Sequence, residues 1–331
     1  MQGTNQASRA PQRARKHTAV RPAARGRSWV FPTVPAVASL VILIGTLVFI
    51  YPQTASWFSQ KEQSKVTELG QQALRKPPNN NATYREAQFE QARKYNDALI
   101  SGAIMPANSN IPVGEGTSTD ESFTYTELLR INDEGVMGRI KYDSLGIDLP
   151  IYHGTSEKTL KKGVGHLEGT SLPIGGDGTR SVLTAHRGLP EATLFNELDR
   201  AAVGDTFTVS VLGEVLTYRV IETRVIKPED TQAVLPEEGR DLISLITCTP
   251  LGVNSHRIFV TAERITPTPV ADIEAAQAAP EIPGFPWWAV MLGGAVLALT
   301  AYVWRSGYTE AKLRERRRQR AESATHGDLA T

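Results

Sequence analysis

The sequence predicts a mainly β fold: a closed β-barrel that is preceded by helices and flanked by two apolar segments. Three observations carry this prediction. From residue 135 onward, short segments rich in β-branched residues follow one another between turn signals. A polar, helix-forming stretch precedes them at residues 59–100. Two uncharged runs of 18 residues, 34–51 and 287–304, lie outside both regions.

The two uncharged runs predict transmembrane helices, because 18 helical residues reach about 27 Å, close to the thickness of a bilayer core. A cleaved signal peptide for the first run fits less well, since no A-x-A site follows it. A buried core helix for the second run also fits less well, since that run is uniformly apolar. Its two ends carry the aromatic residues that are common at the headgroup level, namely Trp287, Trp288, Tyr302 and Trp304.

The charges of the chain are distributed unevenly. Residues 1–29 carry +7 and residues 305–331 carry +3, so the net charge of +1 leaves −9 for residues 30–304. Positive flanks stay in the cytoplasm, so we expect both termini on the cytoplasmic side of the plasma membrane and the acidic part on its outer side. A nucleic-acid partner is not expected, because Arg-rich flanks beside a membrane span serve orientation and contact with anionic lipid.

Residues 59–100 predict two helices that are separated by the turn-like segment 76–81 (KPPNNN). A stripe at helical spacing predicts the packing face of the second helix, and it consists of Tyr84, Gln88, Ala92, Tyr95 and Leu99. The glycosylation tripeptide at 81–83 is a frequent chance match. The following segment, 102–121, is rich in Gly, Pro, Ser, Asn and Thr, and loops of this length are either lids or disordered.

Seven strands and two short helices are predicted within the barrel. Leu216, Tyr218 and Val220 show the period of two that is typical of a half-buried strand. The strands are 136–142, 148–152, 181–185, 206–212, 216–226, 242–247 and 258–263, and the helices are 155–162 and 193–200. Residues 266–286, rich in Pro and Ala, predict a tether to the second apolar run.

Cys248 is the only cysteine of the chain, so it is either a packing residue or a reactive thiol. A thiol becomes nucleophilic when a base or a positive charge helps it to ionise, and acyl transfer also needs donors for the oxyanion. His186, at the end of strand 181–185, and Arg257, at the start of strand 258–263, can supply both. An inert cysteine is disfavoured, because a free thiol in an exported domain is exposed to oxidation.

Other histidines compete for the role of base. His153, His166 and His256 are candidates, although a single histidine in a β domain is usually structural. A zinc site formed by His153, His166 and His186 is disfavoured, since spacings of 13 and 20 match no tight ligand pattern. No metal or organic cofactor is expected.

Two segments together resemble sortases, the membrane-bound cysteine transpeptidases of Gram-positive bacteria. Residues 246–257 (ITCTPLGVNSHR) look like the catalytic strand and its following loop, and residues 183–190 (LTAHRGLP) look like the segment of the catalytic histidine. Residues 150–154 and 162–173 resemble class C, the pilin-polymerising branch, in which a second span at the C-terminal end is typical. The resemblance implies the eight-stranded sortase-type β-barrel.

The resemblance also implies roles for individual residues. Cys248 matches the nucleophile, His186 the general acid and base, and Arg257 the residue that stabilises the oxyanion and holds the substrate. Thr247 supports the site beside the nucleophile. His166 falls in the glycine-bracketed GxGH segment, which is structural in the family. Ser244 stands where many relatives have the threonine that begins the TLxTC motif, and it keeps a hydroxyl there.

A lid over the site is typical of class C, usually with an Asp-Pro-aromatic motif. Segment 102–121 lacks this motif. We therefore expect any lid either to hold Arg257 and Cys248 more weakly or to be an apolar plug formed by Ile104, Met105 or Ile111, with a thiol that stays partly accessible at rest.

The implied function is cleavage of an LPxTG-like sorting signal between Thr and Gly, followed by transfer of the Thr to a Lys amine of a pilin subunit. The partners would be LPxTG-bearing surface or pilin proteins, membrane lipid, and either a pilin lysine or a peptidoglycan precursor as acceptor. Three alternatives stay open: anchoring of surface proteins to the precursor, a cysteine protease, and a non-catalytic membrane-tethered assembly module.

The chain is accordingly divided into seven parts. These are a basic cytoplasmic tail (1–33), a transmembrane helix (34–51), a helical extension with a candidate lid (52–134), the catalytic barrel (135–265), the Pro/Ala-rich tether (266–286), a second transmembrane helix (287–304) and a basic cytoplasmic tail (305–331).

Overall fold

The computed structural model describes residues 28–99, 103–104, 113–114, 125–190 and 192–328. The described residues fall into two compact units, one with residues 28–45 and 293–328 and the other with the described residues between 46 and 292. Two long helices, α1 (Thr33–Leu74) and α5 (Trp287–Asp328), each contain a window that is long and apolar enough to cross a membrane. By length and composition, both helices therefore fit membrane anchoring.

Eight strands of the larger unit close into a barrel. The strands are β3 (Val136–Tyr142), β4 (Ile147–His153), β5 (Val164–His166), β6 (Thr179–Thr184), β7 (Thr206–Val211), β8 (Glu214–Ile226), β9 (Asp241–Thr249) and β10 (His256–Ile265). Their order around the barrel is β10-β8-β7-β3-β4-β5-β6-β9, and neighbours are antiparallel except for the parallel pairs β4–β5 and β6–β9. Before them, β1 (Ala103–Ile104) and β2 (Val113–Gly114) form a separate antiparallel pair.

The closed eight-stranded barrel is as expected, but one of its strands, β5, is absent from the sequence prediction. This strand has three residues, and its central Gly165 gives no periodic signal. A side chain at Gly165 would collide with the Gly154 carbonyl and come within 3.0 Å of Leu160. Glycine is therefore required for the short helix α3 (Glu157–Leu160) to pack against β5.

Alternation along β6, β9 and β10 sorts their side chains onto two faces. Leu183, Leu245 and Val260 belong to the large hydrophobic core. Their sequence neighbours Val182, Ile246 and Phe259 belong to a second cluster instead. That second cluster also includes Leu167, Ile226, Ala233 and Val234. The strands that carry the candidate residues are thus covered by apolar side chains on both faces.

The predicted pair of helices is present. Helix α1 continues through Pro52 to Leu74, and α2 (Ala82–Ala98) begins after a turn. The Asn81 side chain caps α2 by accepting hydrogen bonds from the backbone N–H groups of Thr83 (2.8 Å) and Tyr84 (3.1 Å). The buried face of α2 consists of Phe89, Ala92 and Tyr95, so two residues of the predicted stripe are fully buried.

The Pro/Ala-rich tether contains a helix, α4 (Val270–Gln277), and the segment that follows this helix is held to α1. Side chains spaced seven residues apart on α1 donate to tether carbonyls spaced three residues apart, in antiparallel order. These hydrogen bonds run from Trp57 to Gly284 (2.8 Å), from Ser64 to Glu281 (2.5 Å) and from Gln71 to Ala278 (3.1 Å). Two helical turns rise about 10 Å, which matches about three residues of extended chain.

The predicted helix 193–200 is wrong. Only Leu198–Arg200 forms a 3-10 turn, and Leu194 adopts a positive φ of 34° that no α-helix allows. The Asn196 side-chain oxygen accepts the Gly188 N–H at 2.6 Å. This bond ties the segment back to the end of β6. The predicted helix 155–162 is present in shorter form as α3.

Candidate active site

Cys248 lies near the end of β9, directly opposite Arg257 on β10. The antiparallel register pairs these two residues, with Thr247 opposite Ile258 and Thr249 opposite His256. A tight turn makes this possible: the Pro250 carbonyl accepts the N–H groups of Val253 (3.1 Å) and Asn254 (2.9 Å). The two strands therefore return onto each other within the loop that separates Cys248 from Arg257.

His186 reaches the same position from the other side of β9. The parallel register of β6 and β9 pairs Thr184 with Ile246. The next residue, Ala185, donates its N–H to the Ile246 carbonyl at 3.3 Å. Continuing this register by two residues places His186 beside Cys248. Residues at equal register on neighbouring strands point to the same face, so His186, Cys248 and Arg257 share one face of the sheet.

Arg257 is fully buried, at 0% exposure. Its Nη1 donates to the carbonyls of Asn254 (2.8 Å) and His256 (3.1 Å), so backbone of the preceding turn holds the guanidinium. A buried cation needs such partners. Burial raises the pKa of the Cys248 thiol, and the charge of Arg257 opposes this by lowering that pKa. Arg257 therefore favours the thiolate, which is the nucleophilic form.

A loop with its own polar contacts holds His186 at the end of β6. The His186 carbonyl accepts the Phe195 N–H at 3.2 Å. Its neighbour Arg187 donates to the Asn196 carbonyl (3.0 Å) and pairs with Asp199 at 2.6 Å. Thr247 contributes directly, because its buried hydroxyl donates to the Ala185 carbonyl at 2.8 Å. This contact gives the predicted supporting residue a physical role.

The loop that contains Gly188 and the turn that contains Leu251 are in contact. A side chain at Gly188, which has a positive φ of 79°, would come within 2.5 Å of Leu251. Ser244 also has a defined partner, since its hydroxyl accepts the buried Arg180 Nη1 at 2.8 Å. The hydroxyl that the resemblance expected at this position is thus used.

The competing histidines have other partners. His166 is fully buried between Tyr125 and Ser171, with Nδ1 2.8 Å from the Tyr125 hydroxyl and Nε2 2.9 Å from the Ser171 carbonyl. Burial lowers its pKa to about 4. His153 lies 2.7 Å from the Leu128 carbonyl, and His256 lies 2.9 Å from the Ser255 hydroxyl. Within the described ranges, no group of three His, Cys, Asp or Glu side chains is placed to hold a metal ion.

The candidate lid is described only in part. Met105 and Ile111 lie outside the described residues, and for Ile104 the structure describes only its backbone in β1. The pair β1–β2 lies beside the 3-10 turn Thr231–Val234, whose Ala233 and Val234 belong to the second apolar cluster. Cys248 is only 5% exposed, so the expectation of a partly accessible thiol is wrong.

One acid beside the site has no counterpart in the sequence prediction. Glu157, the first residue of α3, places Oε2 3.3 Å from Nε2 of His186. No spacing rule links these two residues, because they meet only through the packing of α3 on the barrel. The one feature of the sequence that could have indicated Glu157 is the presence of an acid in the predicted short helix before the GxGH segment.

The family model for the sortase domain matches residues 140–265 of the chain. The chain is 45% identical to sortase C-1 from Actinomyces oris, covering 54% of this chain and 98% of that one, with a TM-score of 0.49. It is 40% identical to the Group B Streptococcus Pilus Island 1 sortase C2, covering 56% and 99%, with a TM-score of 0.49. It is also 26% identical to sortase D from Bacillus subtilis over 132 residues, which are 39% of this chain and 64% of that protein.

Proposed function

The chain belongs to the sortase family, and on that premise we propose that it is a transpeptidase that assembles pilins. It would cleave an LPxTG-like sorting signal between Thr and Gly and join the Thr to a Lys amine of another pilin subunit. One observation supports this proposal most: Cys248 lies opposite Arg257 in the β9–β10 register, and the β6–β9 register, continued two residues past Thr184, brings His186 beside Cys248. The sequence identity to enzymes named sortase C favours pilin as the substrate class.

In the first half-reaction, the Cys248 thiolate attacks the Thr carbonyl carbon. The oxyanion that forms is stabilised by the Arg257 guanidinium, whose planar donors suit it. The C–N bond to Gly then breaks, and His186 gives a proton to the leaving amine. The result is a thioester between Cys248 and the Thr carbonyl, and a free peptide that begins with Gly.

In the second half-reaction, a Lys amine attacks the thioester carbonyl. His186 takes the proton from this amine, and the Cys248 thiolate leaves. One peptide bond is thereby exchanged for one isopeptide bond, so the two half-reactions balance without a redox step.

The decisive experiment follows the acceptor. Full-length protein in detergent micelles is given a peptide that carries an LPxTG signal, together with a lysine-bearing pilin domain, a peptidoglycan cross-bridge amine, or neither, and the products are identified by mass spectrometry. We expect a thioester on Cys248 and an isopeptide bond to the pilin lysine, with neither product in Cys248→Ala. Preference for the cross-bridge amine would identify a wall-anchoring enzyme. Hydrolysis in the presence of both amines would identify a protease, and failure to form the thioester would identify a non-catalytic module.

We further propose that α1 and α5 both span the plasma membrane, with the barrel outside and both termini in the cytoplasm. The basic flanks and the acidic middle of the chain support this topology. Protease added to intact cells should cut between residues 51 and 287 and leave both termini protected. Cleavage of the N-terminal basic segment from outside would contradict the topology.

A further inference from the structure

The acid beside His186 has no role in the mechanism above. Glu157 Oε2 lies 3.3 Å from His186 Nε2, and Glu157 Oε1 lies 3.3 Å from Lys161 Nζ. His186 is 5% exposed, and its Nε2 is buried without a hydrogen-bond partner among the described residues, so its contact with Glu157 is one of charge and not a hydrogen bond. A buried ring nitrogen of this kind is costly unless a charge or a bond compensates it. The Glu157 carboxylate is the group placed to do so.

The N-terminal cap of α3 and the packing of this helix on the barrel set the position of Glu157. Ser156 caps α3 by accepting the Thr159 N–H at 3.2 Å, which fixes the first turn that carries Glu157. At the other end of α3, Leu160 is fully buried and packs beside Gly165. The glycine that lets α3 approach β5 therefore also brings Glu157 to His186.

Charged and titratable groups reach His186 from each neighbouring element. Helix α3 brings Glu157 and, through it, Lys161. Strands β9 and β10 bring Cys248 and Arg257. In the loop after β6, the charges of Arg187 and Asp199 are paired with each other at 2.6 Å, which leaves Glu157 as the acid directed at the imidazole among the described residues.

We propose that Glu157 is a positioning residue for His186: its carboxylate holds Nε2 and stabilises the imidazolium, so that Nδ1 exchanges the proton with the leaving and incoming amines. This inference rests on the proposed function for the chemical step alone. Glu157 takes no part in the proton transfers: one proton passes from Nδ1 to the Gly amine, and another passes from the Lys amine to Nδ1. Lys161 shares the carboxylate and weakens its effect on His186.

The test uses full-length protein in micelles with 15N-labelled histidine, and the His186 signal is assigned by its loss in His186→Gln. In Glu157→Gln we expect the Nε2 signal of His186 at a fixed pH to move, because the charge 3.3 Å from this nitrogen is lost. In the same variant we expect kcat to fall about threefold to tenfold, with KM little changed. Lys161→Met should move the same signal in the opposite direction, and Glu157→Asp should restore part of the wild-type behaviour.

Glu90→Gln is the matched control, because Glu90 also pairs with the lysine four residues later, Lys94, but lies on α2. This variant should leave both the Nε2 signal of His186 and kcat unchanged. An unchanged His186 signal in Glu157→Gln, or equal shifts in Glu157→Gln and Glu90→Gln, would overturn the proposal. The spectroscopic measurement needs no sorting peptide. A wild-type protein without transpeptidation but with the expected shift would therefore contradict the proposed function and still support the contact between Glu157 and His186.

Discussion

The two neighbours of Cys248 are held in place by different means. Arg257 lies inside the long antiparallel pair β9–β10, directly opposite Cys248, and the adjacent turn binds its guanidinium. His186 lies beyond the last paired residue of β6, where side chains hold the loop. These side chains are Thr247, Asn196 and Asp199, with Glu157 directed at the ring itself.

This difference separates what the main chain fixes from what side chains fix. A ladder of backbone hydrogen bonds survives the loss of any one side chain, so the position of Arg257 depends little on its surroundings. The position of His186 is a sum of individual polar contacts, each worth about 1 kcal/mol. Substitutions around Arg257 should therefore matter only when they change Arg257 itself, whereas substitutions around His186 should matter at several positions.

The largest effect is expected from Arg257→Lys. An ammonium cannot offer the planar set of donors of a guanidinium, and loss of an oxyanion donor costs roughly 3 to 4 kcal/mol, or a factor of about 100 to 1,000 in kcat. Removal of the arginine in Arg257→Ala should in addition raise the pKa of Cys248, because Arg257 lowers it. The measurements are kcat with a sorting peptide and the pH midpoint of Cys248 alkylation.

The control for this variant is Arg219→Lys, an exposed position on β8, which should leave kcat and the midpoint unchanged. Full transpeptidation by Arg257→Lys would show that the oxyanion role belongs to other donors. In that case Arg257 would still lie opposite Cys248, but it would have no catalytic role to compare with that of His186.

The next effect is a loss of folding stability in acid, and it should act on strands β5 and β6, which lead to His186. His166 on β5 pairs with Leu183 on β6, and burial lowers its pKa from 6.5 to about 4. Between these values the unfolded chain binds a proton that the folded chain does not, so the free energy of unfolding decreases as the pH falls from about 6.5 towards 4. The loss approaches on the order of 3 kcal/mol.

Denaturant unfolding at several pH values measures this loss. His166→Gln should be less stable near neutral pH but should show a flatter dependence on pH, whereas His256→Gln should keep the wild-type slope. Hydrogen exchange sharpens the comparison: amides of β5 and β6 should lose protection in acid before those of β9 and β10. An unchanged slope in His166→Gln would show that another group causes the acid sensitivity.

The features that are local in sequence could be predicted. The alternation at Leu216, Tyr218 and Val220 indicated β8, and single motifs located Cys248, His186 and Arg257. Strand β5 could not be predicted, because a three-residue strand centred on Gly165 has no period. Helix 193–200 was wrongly predicted because its composition suits a helix. The bond from Gly188 to Asn196, which no local pattern records, favours a turn instead.

Glu157 and the docking of the tether share one reason for being missed. Both depend on residues that are distant in the sequence and meet only in the folded chain. The tether carbonyls of Ala278, Glu281 and Gly284 meet every seventh residue of α1, but neither segment alone indicates a partner. Side-chain contacts of this kind hold the loop that carries His186. The surroundings of His186 were therefore harder to predict from the sequence than those of Arg257.

The smallest effect is expected from Thr247→Val, which tests whether one side-chain contact holds the end of β6. The valine keeps the shape of the side chain but cannot donate to the Ala185 carbonyl, which the threonine hydroxyl meets at 2.8 Å. We expect a loss of about 1 kcal/mol in the free energy of unfolding. Because the bond lies one residue before His186, we also expect kcat to fall about twofold to fivefold.

Thr217→Val is the matched control, since this buried hydroxyl donates to Asp272 at 2.8 Å and secures α4 rather than the site. Equal losses of stability in the two variants, with a loss of kcat only in Thr247→Val, would establish that side-chain contacts set the position of His186. An unchanged kcat in Thr247→Val would show instead that the backbone bond from Ala185 to Ile246 is sufficient, and the two sides of Cys248 would then be held alike.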